Sequence, residues 1–335
     1  MQQIPWRNAF WLIARGTKNY YTRRPLTVSY EVTHSCTANC RHCDKGGPKE
    51  EPNRLQAADY RRLQRWLKPM TVQLSGGEPL TRKDILEIVC AVKEPTGLPY
   101  LILVTNASLL TEAKYLELRA ADVNQFSISL DFPDARHDDF RRRPGLFAHV
   151  SQLIPKLTAY GFGDVVVNTC ITQVNLPCVR ELYQRVIAWG ASISFSAYTP
   201  LRTGNPEFWI SSEEDLALLK ETLQDLIRWR RQDGRIANSE WTLANMYDFF
   251  KDGAIAGCNA GLRFLVVTPE GHLLPCSMQT DRKWTSFKAM QGEFVPYNRC
   301  GQCYVSIRAY LDKPYWTLLV DNVKQRVLPR WLAAD

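Results

Sequence analysis

Between Leu26 and Arg231 apolar, strand-like runs alternate with amphipathic helical stretches, and few architectures accept that pattern. Strands are expected at Leu26 to Val32, Thr71 to Leu74, Tyr100 to Val104, Gln125 to Leu130, Asp164 to Ile171 and Ser192 to Ala197. Helices are expected at Gln56 to Lys68, Lys83 to Lys93, Glu112 to Ala121, Leu146 to Tyr160, Val179 to Trp189 and Glu213 to Arg231. Strands separated by helices pair in parallel through right-handed crossovers, and six such units bend into an open arc. The expected class is therefore α/β, a partial (βα)6 TIM-like barrel. Pro155 lies inside one helical pattern, so that helix is expected to kink or begin late.

In such folds chemistry gathers at the C-terminal ends of the strands. The polar signatures of this chain fall there: Cys36, Cys40 and Cys43, then Gly76-Gly77-Glu78-Pro79, Thr105-Asn106, Ser129 to Asp131, and Arg202. Three thiols in a C-x3-C-x2-C run are natural ligands for a soft metal. Asp131, His137, Asp138 and Arg141 to Arg143 form a charged stretch after the fourth strand. It reads either as substrate-facing or as an exposed loop with a helix start.

From Ile236 the alternation stops. Phe264 to Pro275 reads as a hairpin turning at Pro269-Glu270-Gly271, and Cys258, Cys276, Cys300 and Cys303 surround it. The expected division is 1–24, an amphipathic segment; 25–235, the barrel; 236–312, a small metal-stapled hairpin and helix module; and 313–335, a second amphipathic helix with Trp316, Leu319, Val320, Val323, Val327 and Trp331 on its stripe. These basic terminal segments either cap the fold or rest on a membrane surface.

With no signal or membrane-spanning run, the chain is read as cytoplasmic, where ten cysteines serve as metal ligands or core residues rather than disulfides. The formal charge of +8 spread over 335 residues is a solvated surface, and no nucleic-acid partner is expected. Cys90, Cys170 and Cys178 read as ordinary thiols, and His34 and His42 as neighbours of the first cysteine group rather than ligands.

The cysteine loop after the first strand and the Gly-Gly-Glu-Pro turn after the second, taken together, resemble the radical S-adenosylmethionine (SAM) superfamily. The resemblance implies a [4Fe–4S] cluster held by Cys36, Cys40 and Cys43, its open iron bound by SAM. SAM contacts would then come from Gly76, Gly77, Glu78, Pro79, Asn106, Ser129, Arg141 and Arg202. Here the third strand ends Thr-Asn-Ala where the family commonly has Thr-Asn-Gly. Cys258, Cys276, Cys300 and Cys303 resemble the abbreviated SPASM module called twitch, implying an auxiliary [4Fe–4S] cluster. Four-thiolate zinc fits the same spacing.

The resemblance implies an oxidoreductase that cleaves SAM to a 5′-deoxyadenosyl radical, abstracts hydrogen from an unactivated carbon, and draws electrons from a donor such as flavodoxin or ferredoxin. The substrate is expected to be a small molecule, either a lipid or isoprenoid, a tetrapyrrole or a sugar. A peptide or protein maturase is the alternative, disfavoured because no extra peptide-recognition domain is evident before residue 25. A non-catalytic metal-stapled binding protein is the reading from another class. Asp131, His137 and Arg141 are the candidate catalytic residues.

Overall fold

A computed structural model describes residues 6–326 of the chain. In order the elements are α1 (Trp6–Tyr21), β1 (Thr27–Thr33), α2 (Ala57–Leu67), β2 (Thr71–Gly76), α3 (Ile85–Val92), β3 (Tyr100–Thr105), α4 (Glu112–Ala120) and β4 (Gln125–Ser129). There follow α5 (Arg136–Arg141), α6 (Leu146–Ala159), β5 (Val165–Ile171), α7 (Val179–Ala188), β6 (Ser192–Ala197), α8 (Glu213–Asp233) and α9 (Glu240–Asp252). The chain continues through β7 (Phe264–Val267), β8 (Leu273–Leu274), α10 (Phe287–Glu293), α11 (Ser306–Leu311) and α12 (Tyr315–Arg326). Each expected strand and helix of the six βα units is present, with ends within two residues of the sequence reading. The short helix α5 was not expected.

The strands form one sheet in the order β6-β5-β4-β3-β2-β1-β7-β8, and β1 to β6 pair in parallel throughout. Alternation along each strand divides its side chains between two faces. The outward face carries Val28, Tyr30, Val72, Leu74, Leu101, Leu103, Phe126, Ile128, Val165, Val167, Ile193 and Phe195, buried against the helices. The inward face carries Ser29, Gln73, Ser75, Ser127, Asn168 and Ser194, which line two connected cavities. The core therefore lies between sheet and helices, and the lumen is polar.

β7 pairs in parallel with β1 and in antiparallel with β8, closing the expected hairpin at Gly271. Residues 236–312 thus share the barrel's sheet rather than standing apart from it. The Tyr304 carbonyl accepts the Ala197 N–H, and α11, which follows it, packs between β6 and β7 across the open side of the arc.

At the opposite end α1 buries Ala9, Leu12 and Asn19 at helical spacing, with Leu12 against Met70, Leu98 and Tyr100. Asn19 Nδ2 donates to the Pro25 and Lys68 carbonyls at 2.9 and 2.8 Å. This helix caps the N-terminal ends of β2 and β3. It leaves Phe10, Trp11 and Tyr21 exposed, as α12 leaves Trp316 and Val320. Val327 and Trp331 lie outside the described residues. No described helix is long and apolar enough to cross a membrane.

α6 begins at Leu146 as expected and continues through Pro155. The Thr158 hydroxyl donates to the Ile154 and Pro155 carbonyls beside it.

Candidate radical centre and its auxiliary cysteines

The cysteine loop leaves β1 under tight control. The Glu51 carboxylate accepts the Thr33 hydroxyl at 2.6 Å and the His34 N–H, and the Gly47 carbonyl accepts the Cys36 N–H at 2.9 Å. Beneath the loop lies α5, whose Phe140 and Arg141 carbonyls accept the Arg41 and Asn39 N–H groups. His42 stacks on Phe140 with ring centroids 4.6 Å apart. Burial, followed by the charge of Arg141, lowers the His42 pKa to about 3, so its imidazole is neutral.

Gly76 and Gly77 are required by contact with this loop. Gly76 has φ of +134°, and a Cβ there would stand 2.1 Å from the Thr33 carbonyl oxygen. A Cβ on Gly77 would meet the Ser35 carbonyl oxygen at 2.1 Å. The Gly77 and Glu78 N–H groups donate to Thr33 and Ser35 at 2.7 and 2.8 Å, so the turn is fastened to the start of the cysteine loop.

Glu78 is fully buried and faces β3, not an open site. Its carboxylate accepts the Thr105 hydroxyl at 2.6 Å, the Asn106 N–H at 2.7 Å and the Leu80 N–H at 3.1 Å. These bonds fasten the turn to the end of β3. Burial raises the Glu78 pKa to about 7 even though the three donors pull it down. Pro79 is buried at the start of the following short helical turn.

Asn106 in turn donates its Nδ2 to Thr37 Oγ1 at 3.0 Å and to Cys36 Sγ at 3.7 Å. The next residue, Ala107, has φ of +64°, a left-handed conformation that glycine adopts more easily. That is the physical content of the Thr-Asn-Ala departure. The buried turn is retained, with a Cβ in a costly backbone region.

The charged stretch after β4 is divided, with Arg142 and Arg143 exposed and the three candidate residues turned inward. Asp131 and His137 are fully buried, and Arg141 is 9% exposed. Arg141 Nε and Nη2 meet Asp131 Oδ2 at 2.7 and 2.6 Å, and its Nη1 donates to Cys40 Sγ at 3.7 Å. Burial alone would raise the Asp131 pKa, but Arg141 beside it holds the carboxylate below its usual range. His137 Nδ1 accepts the Asp131 N–H at 3.2 Å, and burial lowers the His137 pKa to about 4. These three residues brace the cysteine loop from below. Arg141 is committed to Asp131 and Cys40 rather than free to clamp a carboxylate.

Arg202 is placed differently. It follows β6 on a short helical turn, approaches Asp44 Oδ1 at 2.8 Å, and lines the larger cavity with Ser75 and Gly76. Its Nη2 is buried with no hydrogen-bond partner among the described residues, as expected of a guanidinium shaped for an anionic group. Ser129 ends β4 opposite Asn168 and does not line this cavity.

The larger cavity, about 290 Å³, also contains all four auxiliary cysteines in its wall. Cys258 to Cys303 and the SAM-side residues Ser75, Gly76 and Arg202 therefore share one chamber. Asn298 organises the cysteine set: its Nδ2 donates to the Cys258 carbonyl at 2.9 Å and its Oδ1 accepts the Cys300 N–H at 3.1 Å. Among the described residues no three of His, Cys, Asp and Glu converge closely enough to hold a single metal ion.

Burial pushes the Cys40 thiol up to about 11 and those of Cys258 and Cys276 up to about 12. The fold alone thus holds these groups as thiols, and a metal binding there must displace their protons. Sulfur-rich loops with side-chain donors on Cys36 and Cys40 suit an iron–sulfur cube, and Arg202 suits the carboxylate of SAM. Bound there, that pair supplies a 5′-deoxyadenosyl radical.

Three functional residues escaped the sequence reading. Glu31 lines the cavity, and although burial raises its pKa, the His34 hydrogen bond and the charges of Lys45 and Arg202 hold it below the ordinary value. A carboxylate within the apolar run LTVSYEV is the signal that could have exposed it. Arg82 is fully buried and donates to the Val32 and Leu55 carbonyls, both at 2.9 Å, joining the two ends of the cysteine loop. Arg308 is buried against Cys303. Nothing in the local sequence distinguishes these two arginines from exposed ones.

The radical SAM superfamily model matches residues 30–186. The mycofactocin maturase MftC of Mycolicibacterium smegmatis is 26% identical over 259 residues, 75% of this chain and 64% of that protein. The AdoMet-dependent heme synthase of Methanosarcina barkeri is 28% identical over 278 residues, 76% of this chain and 77% of that one. Among solved structures, Streptococcus suis SuiB bound to precursor peptide SuiA superposes with a TM-score of 0.63 at 19% identity, over 83% of this chain and 68% of that one. That likeness is one of fold. The chain spans under two thirds of the MftC length, so its own substrate does not follow from that relative. Residues 30–186 thus match the radical SAM superfamily, whose members use a [4Fe–4S] cluster with SAM.

Proposed function

We propose that this radical SAM enzyme oxidises a peptide, with Cys36, Cys40 and Cys43 holding the SAM-binding cluster and Cys258, Cys276, Cys300 and Cys303 an auxiliary one. The observation that carries the reading is the shared chamber. A substrate group seated there would meet both Arg202 and the four cysteines in the wall of one cavity. One side can then remove hydrogen and the other accept the electron left behind.

The small-molecule reading fits less well. Below the chamber, and sharing Gln73, Asn168, Ser306 and Ile307 with it, lies a second cavity of about 110 Å³. Its wall carries Thr27, Thr71, Gln125, Ser127, Ser194, Asn238 and Thr242 and no charged side chain. An anionic macrocycle finds no cation in that wall. Peptide groups and small polar side chains match hydroxyls and amides. The MftC relative and the SuiB fold, seen with its precursor peptide, point the same way. The heme synthase relative favours a tetrapyrrole as the second reading.

The test is anaerobic. Reconstituted full-length protein receives dithionite, SAM and either peptides translated from short reading frames beside its gene or a propionate-bearing porphyrin. Stimulated 5′-deoxyadenosine with a peptide lighter by two hydrogens is expected, with flavodoxin or ferredoxin able to replace dithionite. Stimulation by the porphyrin alone would transfer the assignment to the second reading.

A further inference from the structure

Arg308 is fully buried in α11 and lines the chamber beside the auxiliary cysteines. Its Nε pairs with Asp312 Oδ2 at 2.7 Å, and its Nη1 donates to the Cys303 carbonyl and, at 4.0 Å, to Cys303 Sγ. Its Nη2 donates to the Ile255 carbonyl, just before Cys258. Asp312 in turn accepts the Asn259 N–H at 3.0 Å, just after Cys258. One guanidinium thus holds a permanent positive charge against the set and spans two of its chain segments.

The arrangement repeats the one at the first loop, where Arg141 is clamped by Asp131 and donates to Cys40. A purely structural staple could be made by an uncharged amide, without the expense of burying a charge. Charge and hydrogen bonds at cluster sulfurs are what set an iron–sulfur potential.

We propose that Arg308 is a positioning residue that sets the redox poise of the auxiliary site, stabilising its reduced form and so fitting it to receive the substrate's electron. The proposal rests on the reading that Cys258, Cys276, Cys300 and Cys303 hold an iron–sulfur cluster.

The full chain with Cys36, Cys40 and Cys43 all replaced by Ala isolates that site. After anaerobic reconstitution, iron and sulfide are assayed and the midpoint potential is read by electron paramagnetic resonance, with and without R308Q and R308K. With iron content unchanged, R308Q should shift the reduction equilibrium about tenfold toward the oxidised form, about 59 mV for one electron, and R308K should restore most of it. An unchanged midpoint in R308Q overturns the proposal, as does equal loss of iron from both variants, which would make Arg308 a staple only. If the triple-Ala chain itself takes up no iron, the four-cysteine reading fails first and takes the proposal with it.

Discussion

The Glu78 carboxylate accepts the backbone N–H of Asn106 at 2.7 Å, and Asn106 Nδ2 stands 3.7 Å from Cys36 Sγ. The Gly-Gly-Glu turn therefore reaches the cysteine loop twice, directly through Thr33 and Ser35 and indirectly through the end of β3.

Glu78→Gln tests that linkage. An amide cannot accept at both oxygen positions, so one buried donor loses its partner at a cost of about 1–3 kcal/mol. The pH dependence carries a sign. The folded-state pKa lies near 7 against an ordinary 4.5, so the folded chain binds this proton more tightly than the unfolded one. Glu78 thus contributes stability below the ordinary value and loses it as pH rises toward 7. Urea midpoints at the two ends of that range should differ less in the variant than in the parent.

Gly77→Ala places a methyl 2.1 Å from a backbone carbonyl that the Glu78 N–H already holds. The turn and the cysteine loop must separate. Reconstituted iron should fall from about eight to about four per chain, because the auxiliary cysteines lie elsewhere on the fold. Loss of all iron would show instead that the whole barrel depends on this contact.

Arg141→Met leaves Asp131 buried without its counter-charge, a change worth about 3–5 kcal/mol. Adding Asp131→Asn should return a measurable part of that loss. Thermal unfolding of the two single variants and the double variant reads the coupling, and strict additivity would refute the pairing.

Arg202→Met removes the guanidinium whose Nη2 is unsatisfied in the cavity wall. A charged hydrogen bond contributes about 1.5–3 kcal/mol, so SAM affinity should fall at least about tenfold. Equilibrium dialysis with reconstituted protein measures it, and unchanged affinity would remove Arg202 from the SAM contacts.

The residues that read correctly from the sequence are those whose signal is local. Strands β1 to β6 carry their own apolar alternation, and Cys36, Cys40 and Cys43 are grouped by spacing alone. That Asp131, His137 and Arg141 are buried was not legible, because exposed and buried charges look alike in one dimension. Asp131 and Arg141 neutralise one another within the stretch, and the Cys40 that Arg141 also meets comes from another loop. The need for glycine at 76 and 77 was not legible either, because the nearest obstacles to a Cβ are the Thr33 and Ser35 carbonyls of the adjoining strand end.

The sequence by itself determined the strand and helix order, the parallel arc that follows from it, and two separate groups of cysteines. Hydrophobic period and ligand spacing act over a few residues, so they survive in the linear string. Tertiary structure decided that β7 pairs with β1, that α11 packs across the open side, and that Arg202 and the four later cysteines line one cavity. Charge burial and cavity walls depend on which strand ends meet. Only the curved open sheet, with α11 across its gap, brings Arg202 and Cys258 to one space.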